Sequence, residues 1–187
     1  MSDRGTDKSL FSLAQIQHLM RVEFNRAQRY GYPISLLMIA VDRLGHLRDM
    51  YGYEAKEEIV DAIVDLLKRA TRSSDFLGRM ADDRLLAVVP HVDAKGLESM
   101  CGRLIEEIRR LDFKSDGRTI QISASVGGAH DAFETPGERM LFFDALLHAA
   151  DEALQEAVAG GGDRVQLIDP SELGAGDVDA PGGSRRS

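Results

Sequence analysis

The chain has 187 residues, the size of one compact domain, and 43% of them are hydrophobic, which is enough to build a sizeable core. Its formal net charge of −8 argues against broad binding to nucleic acid or to an anionic membrane, because both surfaces would repel it. Cys101 has no second cysteine to pair with and the N-terminus lacks a signal-peptide pattern, so we expect a cytoplasmic protein without nucleic-acid or membrane partners.

Hydrophobic periodicity predicts alternating helices and strands. Apolar residues at helical spacing indicate a first helix over 9–29, and the apolar run 34–41 suits a strand buried on both faces. The later predicted elements are a helix over 54–72, a short segment over 76–80, a strand over 85–89, a helix over 94–111, an edge or half-buried strand over 119–129, a helix over 142–159 and a short strand over 164–168.

Both ends of the chain are predicted to lie outside the folded domain. Residues 1–8 are polar, and we expect a flexible N-terminus. Residues 169–187 are rich in Gly, Pro, Ser and Asp, so they cannot offset the entropy of ordering, and we expect a disordered tail.

Several blocks of the sequence belong together: Arg26-Ala27, the segments 33–42, 49–52 and 75–79, the strand 86–90, Ser125-Val126-Gly127 and the helical block 150–154. In this order they resemble the diguanylate cyclase (GGDEF) family. The resemblance covers 9–168. It implies an α/β domain with a central mixed, mainly antiparallel sheet of about five strands flanked by helices.

The same resemblance implies that the catalytic site is degenerate. The family joins two GTP molecules with the help of metal ions held at two acidic positions, and the first of these aligns with Ala40, whose methyl group offers no oxygen ligand. The signature turn, which normally contains two glycines that let the backbone approach the phosphates, reads Ala81-Asp82-Asp83-Arg84-Leu85.

Further positions at which the resembled family contacts its substrate also carry different residues here. The guanine-contacting positions carry Arg48 and Glu57, and the phosphate-contacting positions carry Val158 and Gly162. We therefore expect no catalytic residue, no metal site and no cofactor. The remaining acids of this region, namely Asp42, Asp82 and Asp83, are interpreted as solvated turn residues.

A second family site is predicted to remain. Arg72 and Asp75 form an Arg-x-x-Asp motif in the register of the site at which cyclic di-GMP inhibits these cyclases, and Arg26 and Arg103 align with arginines that reach a ligand held by a neighbouring domain. The pattern alone is weak, because it also occurs at 4–7, 79–82 and 109–112. Its position relative to the signature turn gives it weight.

The residue types suit this ligand, although each has a plain structural alternative. An arginine fork can bond guanine O6 and N7 or neutralise phosphate, and Asp75 can accept from guanine N–H groups. Alternatively, Arg72 is a cation near a helix C-terminus, Asp75 caps a turn, and Arg103 pairs with Glu107.

The sequence therefore leaves three hypotheses open. The first is an inactive domain that binds cyclic di-GMP and signals through contact with an unidentified regulatory protein, with a possible ligand-linked homodimer. The second is a protein-interaction scaffold that binds no nucleotide. The third is an enzyme or a GTP-binding regulatory domain, which the altered catalytic positions disfavour.

Overall fold

The computed structural model describes residues 10–115, 117–131 and 143–169. Helices and strands alternate through these residues much as the periodicity predicts. In chain order they are α1 (Leu13–Tyr30), β1 (Ile34–Val41), α2 (Leu44–Ala70), β2 (Phe76–Arg79), β3 (Leu85–Pro90), α3 (Ala94–Arg109), β4 (Phe113–Ser115), β5 (Arg118–Ile120), β6 (Ala124–Asp131), α4 (Phe143–Ala159) and β7 (Val165–Ile168).

Five strands form the central sheet in the order β2-β3-β1-β6-β7. The pairings β2–β3, β3–β1 and β1–β6 are antiparallel, whereas β6 and β7 are parallel. β1 takes the middle position because seven of its eight residues are buried, as its continuous apolar run requires. The predicted fold class, a mixed and mainly antiparallel sheet flanked by helices, is confirmed.

The helices form a layer on each side of the sheet. Successive side chains of a strand point to opposite faces, so Leu37 and Ile39 of β1 face α2 and α3, while Leu36 and Met38 face α1 and α4. The two hydrophobic layers are therefore separated by the sheet itself, and α1 lies on the face opposite to α2 and α3.

β6 differs from its prediction as an edge or half-buried strand. It lies between β1 and β7, and its first six residues are buried. The serine and glycine residues of this segment led to the prediction of a half-buried strand. Gly127, however, allows close packing, because a Cβ atom there would lie 2.6 Å from the Cα atom of Leu154 in α4. The helix thus rests directly on the strand backbone.

Two further differences concern short or interrupted elements. Arg118–Ile120 is a separate strand that pairs with β4 in a small hairpin, because three-residue strands carry too little periodicity to predict. α2 starts at Leu44, ten residues earlier than predicted, since a kink at Gly52 (φ 92°) interrupts the helical pattern. Ser9, Phe142 and the segments 1–8 and 170–187 lie outside the described residues, so the predictions about both ends remain predictions.

Gly127→Ala should destabilise the protein by about 3 kcal/mol, because the added methyl group meets backbone atoms of α4 that cannot rotate away. Gly102→Ala is the matched control. Gly102 lies within α3 with no atom near its Cβ position, so alanine should stabilise that helix by about 0.5–1 kcal/mol. Urea unfolding measures both changes, and a Gly127→Ala variant as stable as the parent would contradict the close packing of α4 on β6.

Candidate functional site

The turn between β2 and β3 contains the residues that align with the family signature. Met80 N donates to Arg84 O at 2.8 Å and Asp83 N donates to Met80 O at 3.1 Å, which closes the turn. Asp83 has a φ of 67°, in the left-handed region that aspartate tolerates better than most residues. The backbone conformation of the turn therefore sets the direction in which the Asp83 side chain leaves it.

Asp83 belongs to a network of two acids and two bases. Lys56 Nζ lies 2.6 Å from Asp83 Oδ2 and 2.8 Å from Glu57 Oε1. Arg79 Nε donates to Asp83 Oδ1 at 3.0 Å, and its Nη1 donates to Glu57 Oε2 at 3.0 Å. Each carboxylate thus contacts both cations, and the formal charges of the four residues cancel.

The network holds its members in their charged forms. Hydrogen bonds from Arg79 and then Lys56 lower the pKa of Glu57 to about 2. Burial opposes ionisation of Asp83, but the hydrogen bonds from Lys56 and Arg79 outweigh it and lower the pKa of that carboxyl group. Hydrogen bonds to Asp83 and Glu57 raise the pKa of Lys56. All four groups are therefore ionised at neutral pH.

Arg84 is also held by acids. Its Nε donates to Asp82 Oδ2 at 2.7 Å, and its Nη1 donates to Asp151 Oδ1 of α4. The same Nη1 lies 3.7 Å from Met38 Sδ on β1. The guanidinium group therefore ties the turn to α4 and to the sheet, at a position where the resembled family places an acid.

Asp42 follows β1 and has three donors of its own. Ser123 Oγ, Ser125 Oγ and Asp163 N donate to its carboxylate at 2.6, 2.7 and 2.8 Å. The interpretation of Asp42 and Asp83 as solvated turn acids is therefore wrong, because both carboxylates hold separate parts of the chain together. Asp82 is 54% exposed and fits that interpretation better.

The described residues contain no group of three or more His, Cys, Asp or Glu side chains placed to hold a metal ion. Half-buried Ala40 stands on β1 where the family has its first metal ligand.

Arg72 and Asp75 face each other across the turn that leads from α2 to β2. Asp75 is 6% exposed; its Oδ2 accepts from Arg72 N at 2.6 Å and its Oδ1 accepts from Ser74 Oγ at 3.3 Å. Asp75 N in turn donates to Arg72 O at 3.1 Å. The structural alternative for Asp75, a turn cap, is thus present, while the Arg72 side chain is exposed and has no ion pair within the described residues.

Arg26 and Arg103 lie on separate parts of the surface. Arg26 is 60% exposed on α1, and its Nη1 lies 3.4 Å from Glu23 Oε2. Glu23 also accepts from Tyr32 Oη at 2.7 Å. Arg103 is exposed on α3, and the predicted pair with Glu107 is not formed. Because α1 and α3 occupy opposite faces of the sheet, a single chain does not bring these two arginines together.

Sequence reasoning missed Lys56, Arg79 and Asp151 as members of this region. Arg79 entered the sequence analysis within the resembling segment 75–79 and within the chance Arg-x-x-Asp pattern at 79–82, and neither gave it a role. A signal was nevertheless available, because Lys56 precedes Glu57 directly and Arg79 is four residues before Asp83. The contact between Arg84 and Asp151 spans 67 residues, and no spacing rule could have indicated it.

Comparison with known proteins shows the family of the chain. The family model "Diguanylate cyclase, GGDEF domain" matches residues 9–164. The chain belongs to this family. Diguanylate cyclase A of Treponema denticola is 22% identical over 160 residues, which are 86% of this chain and 41% of that protein. The GGDEF domain therefore spans less than half the length of the curated relatives it matches.

Solved structures share the GGDEF fold. The GGDEF domain of DgcB from Caulobacter crescentus in complex with c-di-GMP matches with a TM-score of 0.77 and 18% identity, covering 89% of this chain and 98% of that one. Diguanylate cyclase SiaD in complex with its activator SiaC, from Pseudomonas aeruginosa, matches with a TM-score of 0.74 and 22% identity, covering 89% and 61%. No helix among the described residues is both long and apolar enough to cross a membrane.

Arg79→Met should lower the free energy of unfolding at neutral pH by about 1–2 kcal/mol, because Glu57 and Asp83 keep their charges but lose one of two cations in a partly open site. The folded-state pKa of Glu57 is below its ordinary value, so its contribution is present above pH 4.5 and is lost as the pH falls towards about 2. The difference between variant and parent should shrink over that range.

The control for this variant is Arg48→Met. Arg48 is 53% exposed and, among the described residues, pairs only with the adjacent Asp49, so its replacement should change stability by less than about 0.5 kcal/mol. Urea unfolding as a function of pH compares the three proteins. Equal stability of Arg79→Met and Arg48→Met would contradict a structural role for the network.

Proposed function

We propose that this GGDEF domain is a catalytically inactive receptor for cyclic di-GMP that binds its ligand at Arg72 and Asp75. The observation that carries the proposal is a contrast between two sites. At the signature turn the charged groups of Glu57, Asp83 and Arg84 are neutralised by neighbouring side chains. At the Arg-x-x-Asp turn the guanidinium group of Arg72 faces solvent without an ion pair in the described structure.

The arrangement of the signature turn supports inactivity. Phosphoryl transfer from GTP needs a divalent cation to screen the triphosphate and activate the attacking hydroxyl. Ala40 offers no ligand, and Asp83 is already bound by Lys56 and Arg79. A metal would have to displace both cations, and Arg84 would add a third positive charge beside it. The proposed receptor has no catalytic residue and needs no cofactor.

The geometry of the Arg-x-x-Asp turn suits a guanine. The backbone N–H of Arg72 donates to Asp75 Oδ2 and the Ser74 hydroxyl donates to Oδ1, which holds the carboxylate at the turn. We expect the guanine N1–H and amino groups to donate to this carboxylate. The exposed Arg72 side chain can reach O6 and N7 or stack on the base.

A second chain would complete the ligand site. Cyclic di-GMP carries two phosphates, and Arg26 and Arg103 are the expected partners for its charges. They lie on opposite faces of the sheet, so at least one of them would reach the ligand from another copy. We therefore expect a ligand-linked homodimer. A GGDEF domain of similar fold, that of DgcB, has been solved in complex with c-di-GMP.

The signal would leave the domain by contact with a regulatory protein. Ligand binding can shift such a contact only through different affinities for the two states. SiaD, which shares the fold, forms a complex with the activator protein SiaC. We place the receptor in the cytoplasm, where Cys101 would remain reduced.

One observation favours the scaffold that binds no nucleotide. Asp75 is buried and caps its own turn, so the motif has a structural purpose without any ligand. This alternative predicts that Arg72→Ala changes no binding property of the protein.

Calorimetric titration with cyclic di-GMP separates the two functions. We expect a dissociation constant of about 1 μM or tighter, weakened at least about tenfold in Arg72→Ala, because the fork to guanine or phosphate is lost. Arg69→Ala is the matched control, since Arg69 is also an exposed arginine near the end of α2, and it should bind as the parent does.

GTP with magnesium serves as the second ligand. We expect no binding heat at the signature turn and no formation of cyclic di-GMP. Absence of binding heat with cyclic di-GMP would contradict the receptor function and favour the scaffold that binds no nucleotide. Turnover of GTP would show that the domain is an enzyme.

A further inference from the structure

The outward face of α1 is basic, on a chain whose net charge is −8. Arg21, Val22, Arg26, Arg29 and Tyr30 are all exposed along this face, which we name the α1 basic face. Glu23, the sole acid of the helix, is 8% exposed and is bound by Tyr32 and Arg26. No other acid of α1 offsets the outer positive charge, although Asp144 Oδ1 of α4 lies 3.5 Å from Arg21 Nη2 in an exposed pair. Within the described residues, Arg29 has no ion pair.

The outward face of α2 has the opposite charge. Glu54, Glu58, Asp61 and Asp65 recur at helical spacing, all four are exposed, and we name them the α2 acidic face. Within the described residues none of these carboxylates contacts a cation. Four like charges on one face repel each other, so a complementary partner would relieve a repulsion that the folded chain leaves in place.

Exposed apolar side chains lie beside both faces. Val22 and Tyr30 on α1 are 49% and 69% exposed, and Met50 and Tyr53 on α2 are 58% and 64% exposed. These are four of the five large hydrophobic residues that the described structure leaves exposed. Exposed apolar groups rimmed by polar residues are typical of protein contact surfaces.

Pairs of charges on the two faces have similar separations. Arg21 and Arg29 are eight residues apart and Glu58 and Asp65 are seven apart, which correspond to about 12 Å and about 10 Å along a helix. The charges of one helix can therefore stand opposite those of the other when the helices lie side by side.

We propose that the α1 basic face of one copy binds the α2 acidic face of a second copy. Because α1 and α2 lie on opposite sides of the sheet, each copy can use both faces, and the contact is head-to-tail rather than mutual. The contact does not require cyclic di-GMP. In this contact Arg26 of one copy would lie alongside α2 of the second copy. That helix ends at Ala70, two residues before Arg72.

Sedimentation equilibrium of the full chain without nucleotide tests this assembly. At about 0.01 M salt, where the screening length is about 30 Å, the average mass should rise above 20.5 kDa with concentration and show no plateau at the dimer. At about 1 M salt, where that length is about 3 Å, the mass should return to that of the monomer.

Charge reversal identifies the two faces. Arg21→Glu/Arg29→Glu, which leaves Arg26 intact, and Glu58→Lys/Asp65→Lys should each weaken association at least tenfold. An equimolar mixture of the two variants should associate as the parent does, because each reversed face meets its new complement. Glu98→Lys/Glu107→Lys reverses two exposed carboxylates on α3 as the matched control and should keep the parental behaviour.

Three outcomes would overturn the contact: a parent that stays at 20.5 kDa in low salt, reversed variants that associate as well as the parent, or a mixture that does not regain association. The calorimetric test of cyclic di-GMP binding uses Arg72→Ala, which changes neither face. The two proposals can therefore fail separately.

Discussion

The carboxylate of Asp83 is held between Lys56 and Arg79 at a turn whose backbone is itself in a left-handed conformation. Glu57 completes the neutral network, and Arg84 continues it towards α4 through Asp151. The turn between β2 and β3 is thus joined to two helices on opposite faces of the sheet. In the proposed function, contacts that the family makes with metal and nucleotide are replaced by contacts within the chain.

This replacement explains why we place function elsewhere on the surface. A site whose charges are already paired offers a triphosphate or a metal little gain, because any new contact must break an existing one. Arg72 offers its charge without that loss. The α2 acidic face extends the same reasoning, since its carboxylates contact no cation within the described residues, and such charges are those that a second copy can still use.

The sequence predicted the sheet well where burial alone decides the structure. The strands over 34–41 and 85–89 were correct because their apolar runs are continuous. β6 was misjudged because Gly127 is buried by the backbone of α4 and not by its own hydrophobicity. In the site, the change at Ala40 could be read from residue type, but a donor to Asp42 comes from 121 residues away and Asp151 lies 67 residues from Arg84. Such hydrogen bonds and ion pairs follow from tertiary packing and not from local spacing.

The central claim is that the Arg-x-x-Asp turn binds cyclic di-GMP and the signature turn binds no nucleotide. An NMR titration of the labelled protein with cyclic di-GMP tests it most directly, because the backbone amides of both turns are observed in one spectrum. The account predicts the largest shifts at residues 71–76, where Asp75 is bound to the amide of Arg72, and unchanged amides at Asp83 and Arg84. Largest shifts at Asp83 and Arg84, or no shifts anywhere, would contradict it.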